Sequence, residues 1–309
     1  MTDFQVFLKT MSPKQVSSPI EVPVLSEDQR QFYRDNGYLV LERIIPANWL
    51  ERLRAAAEKI TADTGQLVAS TRKVALGPGH NAKSPNPSWV WNPDEDSDDL
   101  WTFLSDSVIT DVVADLIGPD VQFYYSFLFF RRKDGVYQGD GCGAWHQDYA
   151  FFPQTNFDGI YAGIHLEDAN PGRSHTVLVP GSHRGPLFEH MNTDGRFTGR
   201  IGRGDFNKIA LDNAIGLTPP AGSIELFDFR VVHNDDAGAD EGGPPSFQAL
   251  YTAADAFPYR SFRLGSTNHG TIVRGRPPRC ARHDPKGCPI PCDLIEIERW
   301  LSGGFEVGS

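Results

Sequence analysis

The stretch VQFYYSFLFF, residues 121–130, decides the fold, because it is rich in aromatic residues and contains no helix signal. Aromatic and β-branched side chains favour strands, since they pack well on a pleated, half-buried surface. Turn clusters such as PGS at 180–182 and PPAG at 219–222 follow it. Four more short apolar runs lie at residues 160–166, 176–179, 223–227 and 247–251. Short strands at this spacing are typical of a β-sandwich or jelly roll.

Helices are predicted before this β-rich part. The segment Ser26-Glu27-Asp28-Gln29 has the form of a capping box, in which a hydroxyl and an amide side chain bond the free N–H groups of a first helical turn. This helix is predicted to end at Asn36-Gly37 and to be followed by a strand over 38–41. The spacing of apolar residues predicts an amphipathic helix over 49–60.

The remaining segments complete a single-domain prediction. Residues 78–100 are rich in Pro, Asn and Asp and are predicted to form a loop, and residues 101–117 a helix that Gly118-Pro119 ends. Residues 1–24 show no periodicity and are interpreted as an N-terminal arm. We therefore expect one domain over 25–309, with helices packed on a β core and a C-terminal tail that contains Pro and Cys.

Composition limits the classes of partner. The formal net charge is -11, whereas a nucleic-acid or anionic-membrane surface needs clustered Lys and Arg. No run of about 18 apolar residues predicts a membrane span, and the first residues do not resemble a signal peptide. Four cysteines are too few for a disulfide scaffold. We expect a cytoplasmic protein that acts on a small molecule; the oligomeric state does not follow from the sequence.

The sharpest local motif is Trp145-His146-Gln147-Asp148. Residues i and i+2 of a strand point to the same side, so His146 and Asp148 can offer an imidazole and a carboxylate to one ion. A further histidine on a neighbouring strand would complete a two-His, one-carboxylate triad, which leaves coordination positions open for O2 and substrate. His233, at the end of an apolar stretch, is the candidate. The motif H-x-D alone is common by chance, and a lone histidine is usually structural.

The order and spacing of several motifs add to this pair. The chain resembles the phytanoyl-CoA dioxygenase family of iron and 2-oxoglutarate oxygenases over roughly residues 25–280. The resemblance rests on EDQRQFYRDNGYLV at 27–40, WHQD at 145–148, LEDAN at 166–170, VPGSHRG at 179–185 and AGS at 221–223 before His233.

This resemblance implies a mainly β fold with flanking helices, the double-stranded β-helix (a jelly roll, cupin-like). It implies that His146, Asp148 and His233 bind Fe(II), that Gln147 contacts the co-substrate, and that 2-oxoglutarate and O2 are consumed. The expected reaction is hydroxylation or desaturation of a small organic molecule. A carboxylate at Asp148 favours these over halogenation, since halogenating relatives have a small residue there.

One family residue is missing. The family places an Arg roughly ten to fourteen residues after the distal histidine, where it grips the far carboxylate of 2-oxoglutarate, but residues 234–249 contain no Lys or Arg. A dianion in a closed cavity needs a fixed cation. Arg131 or Arg132, after the aromatic strand, is the expected replacement, with Arg173 and Arg230 next.

Two other classes stay open. An iron oxygenase or isomerase that takes its electrons from the substrate would need no 2-oxoglutarate. A non-catalytic relative would keep the fold without the metal, although the complete triad argues against it.

Other histidines are assigned by their surroundings. His183 in the Pro-Gly-Ser-His turn is expected to be structural, and His165 on a core strand to face the cavity. His80 lies in the loop over 78–100, which together with residues 190–215 is expected to select the substrate.

A second group, Cys280, His283, Cys288 and Cys292, has the residue types of a zinc site. Its spacing is irregular, and the prolines at 289 and 291 favour an extended chain. We therefore expect free thiols in a surface tail and no zinc.

Overall fold

The computed structural model describes residues 24–130, 145–169, 175–236, 245–259 and 265–290, with backbone only at 203, 235 and 236. Residues 1–23 of the predicted N-terminal arm lie outside these ranges, as do Arg131, Arg132, Arg173 and Cys292.

Four helices are present in the described residues: α1 (Glu27–Asn36), α2 (Ala47–Asp63), α3 (Asp98–Ser105) and α4 (Val108–Ile117). The predicted capping box is confirmed, since the Ser26 side chain accepts from the Gln29 N–H and the Gln29 side chain accepts from the Ser26 N–H. Gly37 ends α1 with a φ of 77°, a left-handed conformation that glycine adopts without steric cost. Both start and stop signals were therefore correctly predicted.

The single helix predicted over 101–117 is wrong, because the chain forms α3 and α4 with a break between them. The Ser107 side chain accepts from the Ile109 N–H and so begins a new helix. Ser97 caps α3 in the same way and begins it three residues earlier than predicted. Two serine caps within ten residues favour two short helices over one long one.

Eleven strands are found in the described part of the chain. They are β1 (Tyr38–Leu41), β2 (Val74–Leu76), β3 (Pro87–Trp91), β4 (Val121–Phe129), β5 (Gly159–Ile164), β6 (His175–Leu178), β7 (Ile215–Leu217), β8 (Ile224–Asp228), β9 (His233–Asp236), β10 (Ser246–Ala253) and β11 (Ile272–Arg274). A large antiparallel sheet has the order β1-β8-β5-β10-β4-β3-β2, with β11 also paired to β4. A small antiparallel sheet has the order β7-β6-β9. The five predicted strands of the core are all confirmed.

The prediction of a loop over 78–100 is wrong in part, since β3 lies within it. In the register of the sheet Trp89 pairs with Phe129 and Trp91 with Phe127. The ring centroids of Trp89 and Phe127 are 4.9 Å apart and nearly parallel. Cross-strand aromatic packing of this kind outweighs the local preference of Pro, Asn and Asp for turns.

Alternation along the strands separates two apolar layers. On β5, Ile160, Ala162 and Ile164 belong to the cluster that packs against the helices, and Leu53 of α2 is fully buried there. Tyr161, between them, belongs to the cluster inside the barrel with residues of the small sheet. The large sheet thus turns one face to the helices and the other to an interior chamber. No helix in the described residues is long and apolar enough to span a membrane.

We propose that residues 25–309 form one domain. Limited proteolysis should remove the first ~20 residues and cut loops, but no stable half should accumulate. The reason is that pairing β1 with β8 and β4 with β10 joins strands far apart in the sequence. Two fragments that fold independently would contradict this prediction.

Candidate metal centre

Two of the three predicted ligands are opposite each other in a short backbone pair. The His146 N–H donates to the His233 carbonyl at 2.9 Å, and the His233 N–H donates to the His146 carbonyl at 3.0 Å. This exchange is an isolated antiparallel bridge. His233 begins β9 rather than ending an apolar strand as predicted, because residues 229–231 form a turn.

The third ligand follows directly. Asp148 begins a short 3-10 turn over Asp148–Ala150. Its Oδ1 atom lies 3.7 Å from the Nε2 atoms of both His146 and His233. One ligand atom from each residue lies within 4.8 Å of the others, and this is the only such group of three or more His, Cys, Asp or Glu in the described ranges.

This geometry fits a metal ion. Two ligand atoms, each about 2.1 Å from one ion, are separated by roughly 3 Å when they subtend a right angle. The observed 3.7 Å separations need only a small inward movement. Two imidazoles and one carboxylate are the donor set of non-haem iron centres with open positions. The predicted triad is therefore brought together by the fold.

His233 is held in the protonation state that a ligand needs. Its Nδ1 lies 3.0 Å from the Val231 carbonyl oxygen, which only accepts, so Nδ1 carries the proton and Nε2 keeps its lone pair. Burial and the nearby His146 hold the pKa of His233 well below its usual value. The ring is therefore neutral at pH 7 and ready to bind a cation.

Gln147 is turned away from the face that His146 and Asp148 share. Its side-chain amide donates to the carbonyls of Pro186 at 3.2 Å and Arg230 at 2.8 Å, and accepts from the Phe188 N–H at 2.9 Å. The residue is 1% exposed. Alternation along the chain explains this placement, which does not favour the predicted contact with the co-substrate.

The described residues do not place a basic side chain where the family has its Arg. Ser246 and Phe247, which occupy this position, begin β10, and Phe247 is fully buried. Arg230, one of the later candidates, is bonded by both Nε and Nη2 to Asp228, at 2.9 and 2.7 Å. Arg131, Arg132 and Arg173 lie outside the described residues.

The sequence analysis missed a buried carboxylate inside the barrel. Glu225 of β8 is 1% exposed; its Oε1 accepts from the Thr176 hydroxyl at 2.8 Å, and its Oε2 lies 3.0 Å from Nε2 of His165. Gly163 on β5 makes room, since a Cβ there would lie 2.7 Å from the Glu225 Cγ. His165 therefore faces the chamber, as predicted. A glutamate inside the apolar run at 223–227 was the available signal.

The other predicted residues have structural contacts. Nε2 of His183 lies 3.2 Å from the Arg34 carbonyl and ties the Pro-Gly-Ser-His turn to α1. Nδ1 of His80 accepts from the Asn86 N–H and shapes its own loop. Cys280 and Cys288 are free thiols, and the absence of zinc stays a prediction because Cys292 is not described.

Comparison with known proteins bears on the same region. The sequence model of the family described as Phytanoyl-CoA dioxygenase (PhyH) matches residues 33–237, about two thirds of the chain, and this range contains all three predicted ligands. The chain belongs to the phytanoyl-CoA dioxygenase family. The match begins in α1 and ends just after β9, so the family region includes the whole candidate metal centre.

Two known proteins are similar to this chain at low identity. A probable alpha-ketoglutarate-dependent hypophosphite dioxygenase of Stutzerimonas stutzeri is 26% identical over 260 residues, which cover 82% of this chain and 87% of that protein. The peroxisomal phytanoyl-CoA dioxygenase of Rattus norvegicus is 26% identical over 181 residues. That match covers 58% of this chain and 53% of the rat enzyme, about half its length.

Solved structures confirm the double-stranded β-helix. EctD from S. alaskensis with bound Fe superposes with a TM-score of 0.66 at 18% identity, over 87% of this chain and 93% of that one. The carbocyclase SnoK from nogalamycin biosynthesis gives a TM-score of 0.58 at 20% identity, over 76% and 87% of the two chains. The predicted fold class, mainly β with flanking helices and cupin-like, is thus correct.

The metal ligands are tested by replacing each with alanine. Reconstituted without O2, the wild-type chain should hold about one Fe(II), and His146→Ala, Asp148→Ala and His233→Ala should each lose most of it, because two ligands bind an exchangeable ion weakly. His183→Ala, a buried histidine away from the centre, should keep its iron. Unchanged iron content in all three ligand variants would contradict the assignment.

Proposed function

We propose that this protein is an Fe(II)- and 2-oxoglutarate-dependent dioxygenase that hydroxylates or desaturates a small organic molecule. The observation that carries the proposal is the triad of His146, Asp148 and His233, assembled across a backbone pair inside a double-stranded β-helix. Relatives support the co-substrate, since one is named as alpha-ketoglutarate-dependent and EctD was solved with 2-oxoglutarate.

The chain itself provides the site. His146, Asp148 and His233 would hold the iron, and iron with 2-oxoglutarate and O2 supplies an oxidant able to break a C–H bond. Three protein ligands leave positions for the co-substrate and O2. The neutral imidazole of His233 and the carboxylate of Asp148 would hold a divalent ion at low cost, because the carboxylate would offset part of its charge in a buried place.

Aromatic side chains surround the ligands and limit access of water. The ring of Phe151 lies edge-on to His146 at 5.5 Å, and that of Phe227 lies 4.5 Å from His233. Tyr161 stacks on Phe227 at 4.1 Å. An apolar wall favours a substrate whose reacting carbon lies in a hydrocarbon part, and keeps solvent from the reaction.

The carboxylate at Asp148 bears on the type of reaction. It lies in a ligand position, 3.7 Å from both histidines, and would fill a coordination site that halogenating relatives leave to chloride. Hydroxylation or desaturation is therefore favoured.

Co-substrate recognition is proposed to depend on Arg131 or Arg132. Within the described residues Arg274 is the only buried Lys or Arg, and it bonds Asp111 of α4 on the helix side of the large sheet. Ser246 and Phe247 carry no charge at the usual position. A dianionic co-substrate in a closed chamber needs a cation, and this need supports an arginine after the aromatic strand.

The proposal includes a small-molecule substrate, no nucleic-acid or membrane partner, and a cytoplasmic location. It is supported by the net charge of -11 and by the free thiols of Cys280 and Cys288. A reducing compartment also keeps iron ferrous.

The direct assay follows succinate. Protein reconstituted with Fe(II) is given 2-oxoglutarate and O2, first without substrate and then with a panel of small molecules, and His233→Ala serves as the blank. Succinate should form with the wild-type protein and not with His233→Ala, and it should form faster when a true substrate is added. Oxygen uptake without succinate would contradict this function and indicate an iron oxygenase that takes electrons from its substrate. A protein that binds no metal and shows no turnover would be a non-catalytic relative.

The proposed contact between an arginine and the far carboxylate of 2-oxoglutarate is tested by Arg131→Ala and Arg132→Ala. Neighbouring side chains of an extended chain point to opposite sides, so we expect only one of the two arginines to serve. Its replacement should raise the apparent KM for 2-oxoglutarate about 10- to 100-fold, as expected for loss of a charge-assisted pair. The other variant is the matched control and should be nearly silent, and iron content should not change in either. If neither variant alters the KM, this assignment is wrong.

A further inference from the structure

His190 is a fully buried histidine outside the triad, in contact with the backbone between two ligands. It is 0% exposed, and its Nε2 accepts from the main-chain N–H of Gln147 at 3.0 Å. Gln147 lies between His146 and Asp148. The hydrogen bond therefore fixes the peptide that sets the relative position of the imidazole and the carboxylate.

The protonation state of His190 follows from its two contacts. Nδ1 lies 3.0 Å from the Phe188 carbonyl oxygen and must donate, whereas Nε2 faces an N–H and must accept. A ring with one donor and one acceptor nitrogen is neutral. Burial, followed by the neighbouring His146, lowers the pKa of His190 to about 3, in agreement with this geometry.

The segment around His190, residues 186–198, makes a second contact with the H-x-D motif of residues 146–148. The Gln147 side chain bonds the main chain of Pro186 and Phe188. Beyond it, the Thr198 N–H and hydroxyl both bond the His190 carbonyl, at 2.8 and 3.1 Å. Residues 186–198 thus form a loop that is joined to the H-x-D motif through His190 and Gln147.

We propose that His190 is a positioning residue for the metal centre, which couples the loop over 186–198 to the geometry of His146 and Asp148. The proposal rests on the metal site of the proposed function. Groups that orient metal ligands contribute strongly to affinity, and their replacement typically lowers it about 10- to 100-fold. His190 differs from the usual case, since it acts on the main chain between the ligands.

Two substitutions separate the roles of its nitrogen atoms. In His190→Gln the side-chain oxygen reaches the place of Nε2 and accepts from the Gln147 N–H. In His190→Asn the side chain is shorter, so it keeps a donor for Phe188 and loses the acceptor for Gln147. His183→Asn is the control, because His183 is also buried and its Nε2 bonds a main-chain carbonyl away from the metal motif, a contact that the shorter side chain loses.

Binding is measured with Co(II), whose absorption reports the ligand geometry, and stability by thermal unfolding of the metal-free proteins. His190→Asn should bind Co(II) about 10-fold or more weakly than wild type, and His190→Gln should recover most of the affinity. His183→Asn should unfold at a lower temperature, because it loses the contact to the Arg34 carbonyl, with unchanged Co(II) affinity. If His190→Asn does not fold, hydrogen exchange of the Gln147 main-chain amide in the metal-free wild type tests the proposal instead. This amide is expected to be protected from exchange, because it donates to His190 Nε2.

Several results would overturn the proposal. One is wild-type Co(II) affinity in His190→Asn. Another is an equal loss of Co(II) affinity in His183→Asn, which would show that affinity only follows stability. Rapid exchange of the Gln147 amide would also reject it. If wild type itself binds no Co(II), the proposed function fails first, so the two failures are distinguishable.

Discussion

The reciprocal backbone pair between His146 and His233 is the interaction on which the site depends. Two hydrogen bonds of 2.9 and 3.0 Å join the H-x-D segment to the start of β9. Because residues opposite each other in an antiparallel pair lie side by side, this pairing sets both imidazoles next to each other. Asp148 then reaches both rings by the two-residue repeat of an extended chain. Without this pair the two imidazoles would not lie side by side, and the three side chains could not bind the same ion.

The surrounding fold keeps the pair in a largely apolar place. Aromatic rings of the large sheet, among them Phe227 and Tyr161, pack beside His233, and burial keeps its imidazole neutral. A metal ion and an anionic co-substrate would add their charges to that of the Asp148 carboxylate. Glu225 and His165 add a polar pair on the inner face of the same sheet. The chamber therefore combines an apolar wall with a few fixed polar groups, as ligand sites usually do.

Much of this was predictable from local signals. The Ser26 capping box, the aromatic strand β4 and the spacing of His146 and Asp148 each depend on neighbours in the sequence. The errors have a common cause in contacts between distant residues. Trp89 and Trp91 form a strand because β4 offers an aromatic face. The contact of His190 with the Gln147 peptide, 43 residues away in the sequence, is equally invisible to local patterns. The co-substrate contact of Gln147 stays a prediction; its side chain bonds the carbonyls of Pro186 and Arg230.

The central claim is that one iron lies between these three side chains. Crystals grown without O2 in the presence of Fe(II) would test it most directly, with diffraction data collected on both sides of the iron absorption edge. The account predicts one strong anomalous peak per chain, bonded to Nε2 of His146, Nε2 of His233 and a carboxylate oxygen of Asp148. A chain with no iron peak there, or with the peak at another group of residues, would contradict it.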